Sequence, residues 1–152
     1  MDLVTLLKPL ERLEQEMGKL YEWYAELFAA DQEASGVFFR LALEEQRHAR
    51  MVDHVRRLVR QNNALSTSVE ADLSDVDDVL DRLARIRSAK GPLEVATAVR
   101  LAIELEQNAA EAHYRHVIAE SIPEVSKLLQ ALTRDDRTHQ ARLEKLAMAR
   151  GL

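Results

Sequence analysis

Phe38-Phe39-Arg40-Leu41-Ala42-Leu43-Glu44-Glu45-Gln46-Arg47-His48-Ala49-Arg50-Met51-Val52 is the stretch that decides the fold. Phe38, Leu41, Ala42, Ala49 and Val52 recur in steps of three and four, the period of one face of an α-helix. Glu45 and His48 fall on that same face, where a packed interior would take leucine. An inward helix face that carries an acid and a histidine three residues apart is the feature to be explained.

Working outward, the helix extends over about Val37 to Arg60, with Val55 and Val59 continuing its inner face. Before it, Leu3, Leu7, Leu10, Met17, Tyr21, Tyr24 and Phe28 define a first helix from about Leu3 to Ala30. Pro9 is read as a kink or as a late start of that helix. A break is expected at about Asp31 to Gly36. After it, residues 61–73 are polar, lack a helical stripe and read as a connection. Ser74 with Asp77 suggests a capping arrangement opening a short helix through about Ala89. Gly91 is expected to end a helix and Pro92 to begin the next, a third long helix over about Leu93 to Glu120. Pro123 marks another tight turn, and a fourth long helix covers about Glu124 to Ala149. The fold class is therefore all-α: a four-helix bundle of two antiparallel helical hairpins joined by a long crossover that contains a short helix. Residues 1–152 form one domain's worth of chain.

Composition agrees with this reading and excludes several functions. Apolar residues make up 47% and charged residues 31%, with only 4 Gly and 3 Pro, a helical mix poor in turn formers. A net charge of -5 speaks against nucleic acid as the main partner. The absence of cysteine removes disulfides, thiolate zinc sites, iron–sulfur clusters and redox thiols. Met1-Asp2-Leu3-Val4 shows no basic segment followed by an apolar one, and no apolar run of about 18 residues exists to span a membrane. A cytoplasmic protein is expected.

Each long helix repeats the anomaly of the second. Glu14 sits between Leu10 and Met17 on the first inner face, and Glu106 between Ala102 and Ala109 on the third. Asp136 and His139 sit between Leu132 and Leu143 on the fourth. Ionised carboxylates in a core cost several kcal/mol each unless they are paired or bound to metal. One acid per helix at such positions requires something positive between them.

The two halves also repeat one another. Leu13-Glu14-Gln15 returns as Leu105-Glu106-Gln107, and Glu45-x-x-His48 returns as Asp136-x-x-His139. The lone acid precedes the paired one by 31 residues in the first half and by 30 in the second. A ring follows each lone acid by seven residues, Tyr21 in one case and His113 in the other. A single acid-x-x-His carries little weight, because acids are 26 of 152 residues. Two such pairs, both inward and both matched to a seam glutamate, carry much more. The candidate metal ligands are thus Glu14, Glu45, His48, Glu106, Asp136 and His139.

The remaining histidines read differently. His54 lies on the opposite side of its helix from Glu45 and is expected at the surface, while His116 has no assigned role. His113 points inward near Glu106 and is expected to hydrogen-bond a ligand. Tyr21, Trp23, Tyr24 and Phe28 read as core or dimer surface, and charged pairs such as Glu44 and Arg47 as solvated faces.

Four carboxylates balance two divalent ions, and oxygen-rich ligation with one histidine per ion suits iron, with manganese as the other choice, better than zinc. With Glu14 seven before Tyr21, Glu45-Gln46-Arg47-His48, Leu105-Glu106-Gln107 and Asp136-Arg137-Thr138-His139, the chain resembles the rubrerythrin and bacterioferritin branch of the ferritin-like superfamily over nearly its whole length. That resemblance implies that Glu14 and Glu106 are terminal ligands, that Glu45 and Asp136 bridge two metals, and that His48 and His139 each cap one. Three departures stand out. Asp136 occupies a position that is usually Glu, Ala109 stands where rubrerythrins carry a further glutamate, and without cysteine there is no rubredoxin-like domain. An external electron donor is therefore expected.

The leading function is an oxidoreductase whose di-iron site reacts with dioxygen or hydrogen peroxide. The alternatives are a ferroxidase or iron-handling protein, ranked second because no fifth helix for a cage is read after the fourth, and a helical interaction protein with a structural or vestigial metal site. A homodimer is expected, since bundles of this size often pair.

Overall fold

The computed structural model describes residues 2–62, 73–89, 93–119 and 123–152, with the backbone alone for 114–119. Among the described residues there are five α-helices and no strand: α1 (Leu3–Leu27), α2 (Gln32–Gln61), α3 (Ser74–Ser88), α4 (Val95–Ala119) and α5 (Pro123–Ala149).

Helix α1 starts at Leu3 because the Asp2 carboxylate accepts the Thr5 backbone N–H at 2.7 Å and caps it. The helix runs on through Pro9, so the proline is internal and no late start occurs. An internal proline costs about 3 kcal/mol. Burial of Leu6, Leu7, Leu10 and Leu13 around it offsets that cost, at roughly 1.5–3 kcal/mol per fully buried side chain.

The turn into α2 is tighter than the sequence pattern suggests. Helix α1 ends at Leu27 rather than Ala30, and α2 starts at Gln32 rather than Val37. Asp31 is its N-cap, accepting the Ala34 N–H at 3.2 Å, and Ala34 is already buried. Gly36, read from sequence as part of a break, lies within the helix at an exposed position. Asp31 also forms a two-pronged ion pair with Arg150, fastening the end of α5 to this turn.

Helix α3 differs from expectation in a smaller way. Its N-cap is Leu73, with no side-chain capping hydrogen bond, so Ser74 is its first helical residue rather than its cap. Gly91 and Pro92 lie outside the described residues, as do most of residues 61–73.

Side-chain contacts fix the directions of the helices. Glu11 pairs with Arg56, Gly18 faces Glu45, and the Tyr24 ring lies 5.1 Å from that of Phe38, so α1 and α2 are antiparallel. Tyr21 meets Glu106 and Glu14 meets His113, so α1 and α4 are antiparallel too. Helices α2 and α4 therefore run the same way. The chain between them has to travel the length of the bundle, and the 15 residues of α3 cover roughly 22 Å of that path at 1.5 Å per residue. Helix α3 buries Val76, Val79 and Leu83 and pairs through Arg87 with Glu16 on α1 and through Arg82 with Glu104 on α4.

Every apolar residue expected to face inward on α1 and α5 is buried, as are Phe38, Leu41, Ala42, Ala49, Val52 and Val59 on α2. Gly18 faces α2 at the level of Glu45, where a Cβ would lie 3.4 Å from that of Glu45, an ordinary van der Waals contact. No described helix is long and apolar enough to cross a membrane.

Candidate metal centre

The helical periodicities carry all six candidate ligands to one level of the bundle interior. Glu14 comes from α1, Glu45 and His48 from α2, Glu106 from α4, and Asp136 and His139 from α5. None is more than 1% exposed. They fall into two overlapping groups, Glu14, Glu45, His48 and Asp136 in one and Glu45, Glu106, Asp136 and His139 in the other. Within each group, one ligand atom per residue lies within 4.8 Å of all the others. Glu45 and Asp136 belong to both groups, so the paired acids of the two repeats stand between two potential ion positions.

The histidines turn one ring nitrogen inward and one outward. His48 Nδ1 lies 3.2 Å from Glu45 Oε2 and 3.3 Å from Glu14 Oε2. His139 Nδ1 lies 2.9 Å from Glu45 Oε1. Their Nε2 atoms face outward, onto Asp135 Oδ2 at 3.0 Å for His48 and onto Glu44 Oε2 at 2.5 Å for His139. The two rings stack with centroids 5.4 Å apart. An outer carboxylate that holds Nε2–H would leave the Nδ1 lone pair facing the inner carboxylates once a bound metal displaces the Nδ1 proton.

The outer carboxylates cross between repeats. Glu44 immediately precedes Glu45 yet holds His139 of the other half, while Asp135 immediately precedes Asp136 yet holds His48. Arg142 donates to both Glu44 oxygens at 2.8 Å, and Arg47 reaches Asp135 at 3.4 Å. The sequence reading placed Glu44 and Arg47 on solvated faces. Arg47 is exposed, as that reading expects, and reaches the rim only through Asp135, whereas Glu44 is partly buried and tied to the centre because α2 and α5 bring it opposite His139.

Two further buried groups steady the lone glutamates. The Tyr21 hydroxyl donates to Glu106 Oε1 at 2.6 Å. His113 is fully buried, with Nδ1 2.6 Å from Asp136 Oδ2 and Nε2 3.1 Å from Glu14 Oε1, the second an ion contact without hydrogen-bond alignment. The expected hydrogen bond from His113 to a candidate ligand is thus present, on Asp136 rather than near Glu106. His54 is exposed, as expected.

Burial opposes charge throughout the cluster, and the partners decide the outcome. It pushes Glu45 well above the usual carboxylate range, helped by the neighbouring Glu14 and Glu106, and raises Asp136 to about 7. Against the same burial, contacts with His113 and His48 hold Glu14 well below that range. Burial would lower the histidines, but their carboxylate neighbours outweigh it and raise His48 to about 12, His113 to about 10 and His139 to about 11. Without a metal, imidazolium charge answers the carboxylates.

The donor set fits divalent ions. Glu14 Oε1, Glu106 Oε2 and Asp136 Oδ1 are buried without a hydrogen-bond partner. An unsatisfied buried polar atom costs about 1–3 kcal/mol, more when charged, and three around one centre call for a cation. An all-oxygen and imidazole donor set is one that iron and manganese accept.

These features define a ferritin-like helical bundle whose interior holds carboxylate and histidine groups able to bind metal. The chain belongs to the rubrerythrin family, whose family model matches residues 11–147. Comparison with curated proteins and with solved structures returned no significant match.

Proposed function

We propose that Glu14, Glu45, His48, Glu106, Asp136 and His139 hold two iron ions and that the protein reduces hydrogen peroxide or dioxygen with electrons from an external donor. The observation that carries this reading is the pair of overlapping four-residue groups sharing Glu45 and Asp136. Two ferrous ions bound there would supply one electron each, enough with two protons to reduce one hydrogen peroxide to two waters.

The residues of the chain supply orientation, dryness and protons. Glu45 spans both groups through its separate oxygens, Oε1 beside His139 and Oε2 beside His48. Tyr21 holds Glu106 with a neutral donor. Leu13, Met17, Leu105, Leu132 and Leu143 are fully buried on the same helices and exclude water. Protons enter along His48 Nε2 to Asp135 and His139 Nε2 to Glu44, because Asp135 and Glu44 are the half-exposed ends of those contacts.

The test is anaerobic loading with ferrous iron followed by hydrogen peroxide. One peroxide consumed for every two irons oxidised, with repeated turnover when a reductant is added, is the expected result. Iron uptake far beyond two ions per chain under air would instead identify an iron-handling protein. Bound metal without peroxide consumption would identify a structural site.

A further inference from the structure

The two repeats are matched in spacing but not in chemistry at one position. The ring seven residues after each seam glutamate reaches across to the other half, Tyr21 to Glu106 and His113 to Glu14, and His113 also meets Asp136 of its own half. Tyr21 touches only a lone glutamate. His113 also engages an acid shared by both ligand groups, and the equivalent shared acid, Glu45, has no such partner. The two Glu45 oxygens face His139 Nδ1 and His48 Nδ1, one toward each group. On Asp136, Oδ2 is taken by His113 at 2.6 Å and only Oδ1 is without a partner.

We infer that His113 is a positioning residue that restricts Asp136 to one ligand oxygen, so that the two metal positions are unequal and fill in two separate steps. This rests on the two-ion reading above. An oxygen that accepts a short hydrogen bond from a buried ring is a poorer donor, and the ring itself blocks an ion from that side. The aspartate side chain is one methylene shorter than glutamate, so it cannot swing Oδ2 past His113 to reach the second position. Glu45 alone then spans both ions. The first ion takes Asp136 Oδ1 as a full ligand, and the second binds with a weaker share of it.

Titration of the metal-free protein with Mn(II), followed by calorimetry and by electron paramagnetic resonance, tests this. Wild type is expected to show two steps whose dissociation constants differ by at least about tenfold, with the hyperfine signal of an isolated ion at one equivalent. His113→Phe releases Asp136 Oδ2, and the separation should close by on the order of 10-fold, the usual size of an outer-shell effect on metal affinity. Spin-coupled pairs should then appear at one equivalent. His113→Gln keeps an N–H toward Asp136 and should keep the two steps. A single step for two ions in wild type overturns the inference while leaving the two-ion reading intact, and needs no variant to fold. An unchanged separation in a His113→Phe protein of wild-type helicity overturns it as well. No Mn(II) uptake at all would remove the two-ion reading, and the inference with it.

Discussion

The Tyr21 hydroxyl on α1 donates to Glu106 Oε1 on α4 at 2.6 Å, with both residues fully buried. Nothing else in the first hairpin hydrogen-bonds Glu106, whose Oε2 has no partner. Tyr21→Phe keeps the ring, which packs near Phe38, and deletes only the donor. It should destabilise the metal-free protein by about 1.5–3 kcal/mol, the range for a hydrogen bond to a charged group. Urea unfolding with and without metal checks this, and the loss should be smaller in the loaded protein.

The crossed outer carboxylates predict that damage appears in the opposite half. Glu44→Ala removes the partner of His139 Nε2, although Glu44 sits on the helix of His48. It should weaken the ion position that includes His139 by on the order of 10–100-fold, and Asp135→Ala should do the same for the position that includes His48. Mn(II) titrations of the two variants would show which step moves. Equal weakening of both steps by both variants would contradict the crossed arrangement.

The metal-free and metal-loaded proteins should respond to pH in opposite directions. His48, His113 and His139 are raised from 6.5 to about 12, 10 and 11. Groups raised on folding bind more protons in the native state, so their contribution is complete below pH 6.5 and is lost as pH rises toward those values. Asp136, raised from 3.8 to about 7, acts in the same direction between those two values. Metal ions must displace these protons, so affinity should rise with pH. Thermal unfolding at pH 6 and pH 9 should show the metal-free protein less stable at the higher pH and metal conferring more stabilisation there.

Much of the centre was legible because burial in a helix is periodic. Glu14, Glu45, Glu106 and Asp136 interrupt apolar series at the positions where Leu or Ala would be expected, and all four proved to be buried. Glu44 and Asp135 were not legible. Each is a half-exposed acid on an amphipathic helix, and its partner is set by which helix lies opposite rather than by local spacing. The start of α2 was obscured because Gly36 resembles a terminator, whereas the signals that decide it are Asp31 as cap and Ala34 as the first buried residue. The Ser74 cap failed for the reverse reason, a suitable residue displaced by one position.

If the buried acids exist for ions, replacing one should cost metal more than fold. Glu45 is pushed toward its neutral form by burial and by Glu14 and Glu106. Glu45→Gln has the shape of that neutral acid and should change metal-free stability by no more than about 1 kcal/mol in urea unfolding. Loss of several kcal/mol would instead make Glu45 a structural residue of the core.

Metal content addresses the central claim most directly: elemental analysis of the protein after anaerobic ferrous loading and removal of free iron, beside Glu45→Ala. Glu45 is one of the two residues shared by both ligand groups and the one with an oxygen toward each histidine, so the account predicts two ions per chain in wild type and at most one in the variant. A wild type that retains no iron, or a Glu45→Ala protein that still holds two ions, would contradict it.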